Sequence, residues 1–230
     1  MLRQNLSISA VILIFVCSFA LWPRVAPGQS NPADTNEIIA KTTNLTAQAG
    51  GASLGEATPA TPVTIVSTAG DTVEIAIEGW SMHDAPQYLY PDIGQRIILV
   101  TLEQSGQDAR AVVTSQADKY GIAWDNVKVT GWVPAANLAT DPAAVWQAAQ
   151  AIFQKRCSAC HALHQPKEFT ANQWPSILKI MTKRAALSPA DTELVTKYLQ
   201  LHAKIPGAGN GPGPNAGPKA RLGSGNGPKR

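Results

Sequence analysis

The chain has 230 residues, of which 44% are hydrophobic and 15% are charged, with a formal net charge of +3. This length suffices for one large domain or two small ones, and the composition is that of a globular protein. The basic residues outside the central region are scattered, so nothing here indicates a surface that binds nucleic acid.

Residues 1–28 predict an export signal. Arg3 precedes an uncharged run that extends from residue 4 to residue 23, and Ala26-Pro27-Gly28 offers small residues at which a peptidase cuts. The uncharged run approaches the roughly 20 residues that span a bilayer. The segment is therefore either a cleaved signal peptide or an anchor in the inner membrane, and either interpretation predicts a periplasmic protein.

Two further segments lack the pattern of a packed domain. Residues 29–62 are mostly small, polar and turn-forming, which predicts a partly disordered linker. Residues 204–230 are dominated by Gly, Pro and Asn and bury little, which predicts a disordered tail.

Between residues 63 and 140, short runs rich in β-branched residues, such as TVEIAIEGW and NVKVTGWV, predict strands. The runs that end at Gly79-Trp80 and Gly131-Trp132 alternate in the same phase, which suggests a duplicated unit. A strand pair closing on Gly-Trp and followed by VPAANL resembles bacterial SH3-like domains. We therefore expect an SH3-like β module over 63–140, single or duplicated.

From residue 141 to residue 203 the pattern becomes helical. Asp141 and Ser188 are suited to cap helices because each precedes a proline in the first helical turn. A further helix is predicted from near Asn172 past Met181. The expected fold is thus multidomain: the mainly-β module, then a small all-α c-type cytochrome domain, then the disordered tail.

The stretch CSACH, residues 157–161, is the attachment signature of c-type haem. Residues three and four apart share a face of a helix, so one helix carrying the motif would present Cys157, Cys160 and His161 to one planar ligand. The two thiols then form thioethers with the haem vinyl groups, and His161 binds the iron as proximal ligand. A zinc site and a thioredoxin-like dithiol are the alternatives, although further metal ligands at suitable spacing and a βαβ context are both lacking.

The distal ligand is predicted to be Met181, the only methionine after the motif. Ligation by histidine and methionine raises the reduction potential relative to two histidines. The alternatives are that Met181 fills the core, that His202 is the ligand, or, more remotely, that Met82 is. His164 is interpreted as a surface or hydrogen-bonding residue.

The stretch from VWQAAQ through CSACHALH and ANQW to the following methionine resembles the C-terminal mono-haem domain of the pentahaem cytochromes c of trimethylamine N-oxide and dimethyl sulfoxide reductase systems. In that family a tetrahaem module takes electrons from quinol, and the C-terminal haem passes them to a molybdenum-containing reductase. This sequence has one such motif. The resemblance therefore implies one haem c, a separate quinol dehydrogenase or multihaem donor, and a molybdenum-containing acceptor.

These observations predict an exported mono-haem cytochrome c that carries electrons and is not an enzyme. The alternative is a haem-based sensor or binding protein in which Met181 is displaced by a small ligand, and a peroxidase is a third reading. Residues 142–203 carry seven basic and three acidic residues, whereas residues 63–141 carry four basic and ten acidic ones. This split favours docking with charged redox partners.

Overall fold

The computed structural model describes residues 37–204, which lie within one compact unit, Pro32–Arg230. The export signal predicted over 1–28, the first part of the predicted linker and the tail beyond Lys204 fall outside the described residues. The strands are β1 (Glu37–Ile39), β2 (Thr43–Thr46), β3 (Ser53–Ala57), β4 (Pro62–Ala69), β5 (Thr72–Met82), β6 (Ala85–Tyr90), β7 (Val100–Leu102), β8 (Ala111–Ala117), β9 (Ala123–Pro134) and β10 (Leu138–Ala139). The helices are α1 (Gln104–Ala109), α2 (Pro142–Cys157), α3 (Trp174–Met181) and α4 (Pro189–Leu201).

The ten strands form one sheet in the order β10-β1-β4-β5-β6-β7-β3-β2-β9-β8. An additional pairing between β5 and β9 closes β5, β6, β7, β3, β2 and β9 into a six-stranded barrel. The other four strands extend the sheet outside this ring, with β4, β1 and β10 on the side of β5 and β8 on the side of β9. Closure of the ring removes free edges from most of the barrel.

The barrel core is built on the antiparallel pair β5–β9, which runs from Thr72 opposite Pro134 to Met82 opposite Trp124. Alternate residues of both strands point inward because successive side chains of a strand face opposite sides. The inward set is fully or almost fully buried and comprises Val73, Ile75, Ile77, Val127, Val129 and Val133. The alternation predicted from the sequence for these two strands is therefore confirmed.

Three strands, β1 to β3, lie in the stretch for which the sequence predicts a linker. Ile39 and Leu45 are completely buried in the barrel core. Gly131 of β9 allows this packing, because a Cβ at that position would lie 2.6 Å from Cγ of Leu45. The prediction of a linker fails between residues 37 and 57 because a few large apolar residues among small polar ones suffice to complete a barrel.

The helices α2, α3 and α4 share a second hydrophobic cluster, centred on Phe153, Trp174, Val195 and Leu199. Helix α4 and the residues just before α3 are joined by polar side chains to the backbone of the loop that precedes β7. Asn172 accepts from the amide of Arg96 at 2.8 Å and donates to the carbonyl of Gly94 at 2.9 Å. On α4, Gln200 donates to the carbonyl of Arg96 at 3.2 Å, and the buried Lys197 donates to the carbonyl of Ile98.

The expected multidomain architecture, an SH3-like module followed by an all-α cytochrome domain, is wrong. The described chain is mainly β, with a six-stranded barrel and four helices of 6 to 16 residues in the same compact unit. The physical reason is the set of polar contacts between the helices and the barrel backbone, which attach α3 and α4 to the loop before β7.

Candidate haem site

The motif begins at the last residue of α2. This helix starts as the sequence predicts, with Pro142 in its first turn and the carboxylate of Asp141 accepting from the amide of Ala143 at 2.9 Å. It ends at Cys157, whose half-buried side chain packs against the helical cluster. The amide of Ser158 still bonds the carbonyl of Gln154, after which the chain leaves the helix.

Cys160 and His161 therefore lie in the turn that follows α2, and the expectation that one helix carries the whole motif is wrong. Both side chains are exposed, whereas Cys157 is half-buried. The turn places Cys160 and His161 at the surface. Burial raises the pKa of the Cys157 thiol, so this group is kept in its protonated form at neutral pH.

The imidazole of His161 is oriented by its neighbour in the chain. Its Nδ1 lies 2.6 Å from the carbonyl oxygen of Ala162. A carbonyl oxygen can only accept, so Nδ1 carries the proton and donates it. The neutral ring consequently keeps its lone pair on Nε2, which is the nitrogen free to bind a metal.

The donor set fits a covalently attached haem. Cys157 and Cys160 are free thiols, as addition to two vinyl groups requires. Nε2 of His161 is available for the iron. Among residues 37–204, no group of three or more His, Cys, Asp or Glu side chains lies close enough to hold a metal ion, as a zinc site would need.

Met181 is the last residue of α3 and is half-buried. Two other residues of this helix, Trp174 and Leu178, fill the helical cluster, whereas Met181 lies outside it. Ile180, beside it, is 62% exposed. The two predicted iron ligands thus lie at the ends of different helices, Met181 at the end of α3 and His161 in the turn after α2.

His202, the alternative ligand, lies in an aromatic group at the other end of α2. Its Nδ1 donates to the carbonyl of Tyr198 at 2.7 Å, and its ring centroid lies 5.3 Å from that of Trp146. Eleven residues of helix separate Trp146 from Cys157, a rise of about 16 Å. Met82, the more remote alternative, ends β5 in the barrel.

The interpretation of His164 as a surface or hydrogen-bonding residue agrees with the structure, although the sequence did not specify its partner. Nδ1 of His164 lies 2.8 Å from Oε2 of Glu168, and the His164 ring lies 5.5 Å from that of His161. Hydrogen bonds from the amide of Gln165 and from His164 lower the pKa of Glu168.

Exposed basic side chains surround the two helix ends that carry the candidate ligands. Lys155 and Arg156 occupy the last turn of α2, where a cation also interacts favourably with the helix dipole. Lys179 lies in the last turn of α3, and Lys183 and Arg184 follow it. We refer to these five residues as the basic patch.

In the described residues, no helix combines the length and apolar character needed to cross a membrane.

Comparison with known proteins gives two family matches and several relatives. The family described as TorC third cytochrome c domain matches residues 32–138, and the one described as Dihaem cytochrome c matches residues 153–218. The cytochrome c-type protein TorY of Escherichia coli O157:H7 is 34% identical over 152 residues, 66% of this chain and 41% of that protein. TorY of Haemophilus influenzae is 26% identical over 59% of this chain and 37% of its own length. TorC of Escherichia coli K12 is 26% identical over 65% of this chain and 39% of its own length. No solved structure matches the chain.

The motif is the attachment signature of c-type haem, and the chain is similar to proteins described as c-type cytochromes. More particularly, the chain is related to the TorC and TorY cytochromes. It spans about two fifths of the length of these curated relatives. Residues 32–138, which match the TorC domain, contain no cysteine. Thiols for haem attachment therefore lie in the part that matches the dihaem family.

Proposed function

We propose that the protein is a periplasmic electron carrier with a single haem c. The observation that carries this proposal is the CSACH motif at the end of α2, with its two free thiols and the oriented His161. The chain has three cysteines, and Cys17 lies far from the other two in sequence, which leaves thiols for one haem. In this proposal Cys157 and Cys160 hold the haem and His161 is its proximal ligand.

Met181 is proposed as the distal ligand. Its half-buried thioether lies outside the helical cluster, which leaves the sulfur without a packing role there. His202, by contrast, is engaged with Tyr198 and Trp146. A thioether stabilises ferrous iron and therefore raises the reduction potential. Bound haem would supply the iron couple that gains and loses one electron.

The proposed partners are redox proteins. The electron donor in this proposal is a quinol dehydrogenase or a multihaem cytochrome. The acceptor is a molybdenum-containing reductase of the trimethylamine N-oxide type. The exposed basic patch beside the exposed Ile180 favours an acidic partner surface, because opposite charges accelerate the encounter of redox proteins. The location is the periplasm, with residues 4–23 as an anchor if the signal is not cleaved.

Covalent attachment of haem is the first prediction to test. After extraction with acid acetone the haem should stay on the polypeptide, and a pyridine haemochrome spectrum should give one haem per chain. Cys160→Ser should leave a single thioether and shift the α band to longer wavelength, because one vinyl group stays unsaturated. Cys17→Ser is the matched control and should change neither result. Haem that extracts from the wild-type protein would refute the proposal.

A further inference from the structure

Four consecutive residues, 171–174 (ANQW), connect the loop that follows the motif to the helix that ends at Met181. Their side chains and backbone bond three other parts of the chain, namely the barrel, α4 and the loop after the motif. We refer to these four residues as the junction. Attachment of haem at the motif does not by itself require such contacts, so they need another explanation.

The junction is joined to the barrel at one loop, the one that precedes β7. Asn172 bonds the carbonyl of Gly94 and the amide of Arg96, at 2.9 and 2.8 Å. From α4, the side-chain amide of Gln200 donates to the carbonyl of Arg96 at 3.2 Å and to that of Ala171 at 3.1 Å. Gln200 is buried. The barrel, α4 and the start of α3 are therefore tied at a single place.

On its other side the junction packs against the loop that follows the motif. Trp174 is almost completely buried, and its indole N–H donates to the carbonyl of Pro166 at 2.9 Å. Its ring centroid lies 5.0 Å from that of Phe169, which lies 5.4 Å from that of His164. The His164 ring in turn lies 5.5 Å from that of His161. A row of rings thus joins the first residue of α3 to the proposed proximal ligand.

Helix α3 extends this placement to Met181. It has eight residues, and its buried residues are Trp174 and Leu178. Leu178 packs in the helical cluster, while Met181 ends the helix outside that cluster. At a rise of about 1.5 Å per residue, Met181 lies about 10 Å from Trp174 along the axis. A shift at the start of so short a helix therefore also moves its end.

We propose that the junction positions Met181 for the haem iron, with Asn172 and Gln200 as positioning residues through which the barrel stabilises the distal bond. This inference rests on the proposed function, in which Met181 is the distal ligand. Loss of either tether should let the start of α3 move away from the barrel. The fraction of molecules in which the thioether is off the iron should then rise. The two hydrophobic clusters contain neither positioning residue, so they should keep the fold.

The test measures binding of imidazole to the ferric, haem-loaded full chain, because added imidazole binds only molecules whose distal position is open. The apparent dissociation constant equals the intrinsic one divided by the open fraction. Asn172→Ala and Gln200→Met should each bind imidazole about threefold to tenfold more tightly than the wild-type protein, since each loses two hydrogen bonds. Methionine keeps the approximate length of Gln200 without its donor group.

Asn44→Ala and Gln107→Met are the matched controls, because they make the same changes within the barrel and α1. Asn44 accepts from the hydroxyl of Ser53 at 2.8 Å, and Gln107 donates to the carbonyl of Leu102 at 3.4 Å. Both controls should keep the wild-type affinity for imidazole, even where urea denaturation shows a loss of stability. Affinity for imidazole thus separates positioning of Met181 from a general effect on the fold.

The outcomes that would overturn this inference differ from those that would contradict the proposed function. Unchanged affinity for imidazole in Asn172→Ala and Gln200→Met, with the methionine-to-iron band present in the wild-type protein, would overturn the inference alone. Controls that bind imidazole as tightly as these variants would do the same. A wild-type protein with covalent haem but without the band would overturn both the inference and ligation by Met181. Absence of covalent haem would contradict the proposed function itself.

Discussion

The hydrogen bond from Nδ1 of His161 to the carbonyl of Ala162 determines which imidazole nitrogen of His161 can bind a metal. The bond fixes the proton on Nδ1 and leaves the lone pair of Nε2 to bind a metal. Such a bond also raises the basicity of a ligand imidazole. His164, three residues later, is instead paired with Glu168. Two neighbouring histidines thus differ in what their Nδ1 atoms bond. The motif predicts the role of His161, but the pairing of His164 depends on the turn that brings Glu168 back to it.

Ligation by Met181 can be tested by substitution. Met181→Ala should remove the charge-transfer band between methionine sulfur and ferric iron and lower the reduction potential, because a thioether favours ferrous iron. The measurements are the near-infrared absorption spectrum and a redox titration. Ile180→Ala, at the neighbouring exposed position, is the matched control and should leave the band in place. Absence of this band from the wild-type protein, together with a low-spin ferric spectrum that is lost in His202→Ala, would assign the distal ligand to His202.

At the scale of elements, α4 is held against the barrel by a buried amine. Lys197 is 3% exposed and its Nζ donates to the carbonyl of Ile98. Burial lowers the pKa of Lys197 to about 7, and the nearby Glu193 partly opposes this shift. Glu193 also accepts from the hydroxyl of Thr42. Glu193, Lys197 and Arg96 all line a cavity of about 530 Å³ between α4 and the barrel. The attachment of α4 therefore depends on a group that titrates near neutral pH.

This pKa predicts how stability depends on pH. The unfolded chain binds a proton at Lys197 below about pH 10.4, whereas the folded protein binds it only below about 7. Between these values the unfolded state holds more protons, so the free energy of unfolding should rise with pH. Below about 7 both states are protonated and the destabilisation is constant. Lys197→Met should flatten the dependence between pH 7 and 10, as measured by urea denaturation at each pH.

The matched control for this prediction is Lys167→Met, which removes an exposed lysine and should keep the wild-type dependence on pH. The methionine removes one of two donors to the carbonyl of Ile98, which still accepts from the hydroxyl of Thr58 at 2.7 Å, and a single hydrogen bond contributes about 0.5–1.5 kcal/mol. That loss is independent of pH, so it shifts the curve without changing its slope. A slope that persists in Lys197→Met would show that another group causes it.

Elements with a regular pattern could be predicted from the sequence. The alternation in β5 and β9 predicts buried Ile75 and Val129, and Ser188 caps α4 by accepting from the amide of Asp191 at 3.1 Å. The strands β1 to β3 could not be predicted from the sequence, because short strands among small polar residues give no periodicity. The end of α2 at Cys157 also escaped prediction, since helical spacing continues through Cys160 and His161 although the backbone does not.

At the scale of the whole molecule, the change of pattern near residue 141 predicts a domain boundary, but the barrel and the helices belong to one compact unit. The barrel and the helices have separate hydrophobic clusters, which the sequence pattern reflects. What joins them is a set of hydrogen bonds from Asn172, Lys197 and Gln200 to barrel backbone atoms. Polar side chains bonding a backbone more than 70 residues away leave no periodic signal, so the single compact unit could not be predicted from the sequence.

The uneven charge of the molecule leads to a prediction about electron transfer. Replacing Lys179 and Lys183 of the basic patch with Glu should slow oxidation of the ferrous protein by an acidic acceptor severalfold, because charge steers the encounter. The wild-type rate should also fall as salt rises, since exposed charges are screened over about 8–10 Å at ordinary ionic strength. Stopped-flow oxidation by a periplasmic molybdenum-containing reductase at two salt concentrations measures both effects.

The control for charge reversal is the double variant Lys41→Glu and Lys128→Glu, which makes the same change in net charge at exposed positions outside the helices. It should oxidise at close to the wild-type rate, because the position of the charge, rather than the net charge, orients the complex. A sensor would behave differently, since its ferrous iron would bind carbon monoxide readily in the wild-type protein and its oxidation would not depend on the basic patch. A rate independent of salt, together with tight binding of carbon monoxide, would contradict the electron-carrier function and favour the sensor.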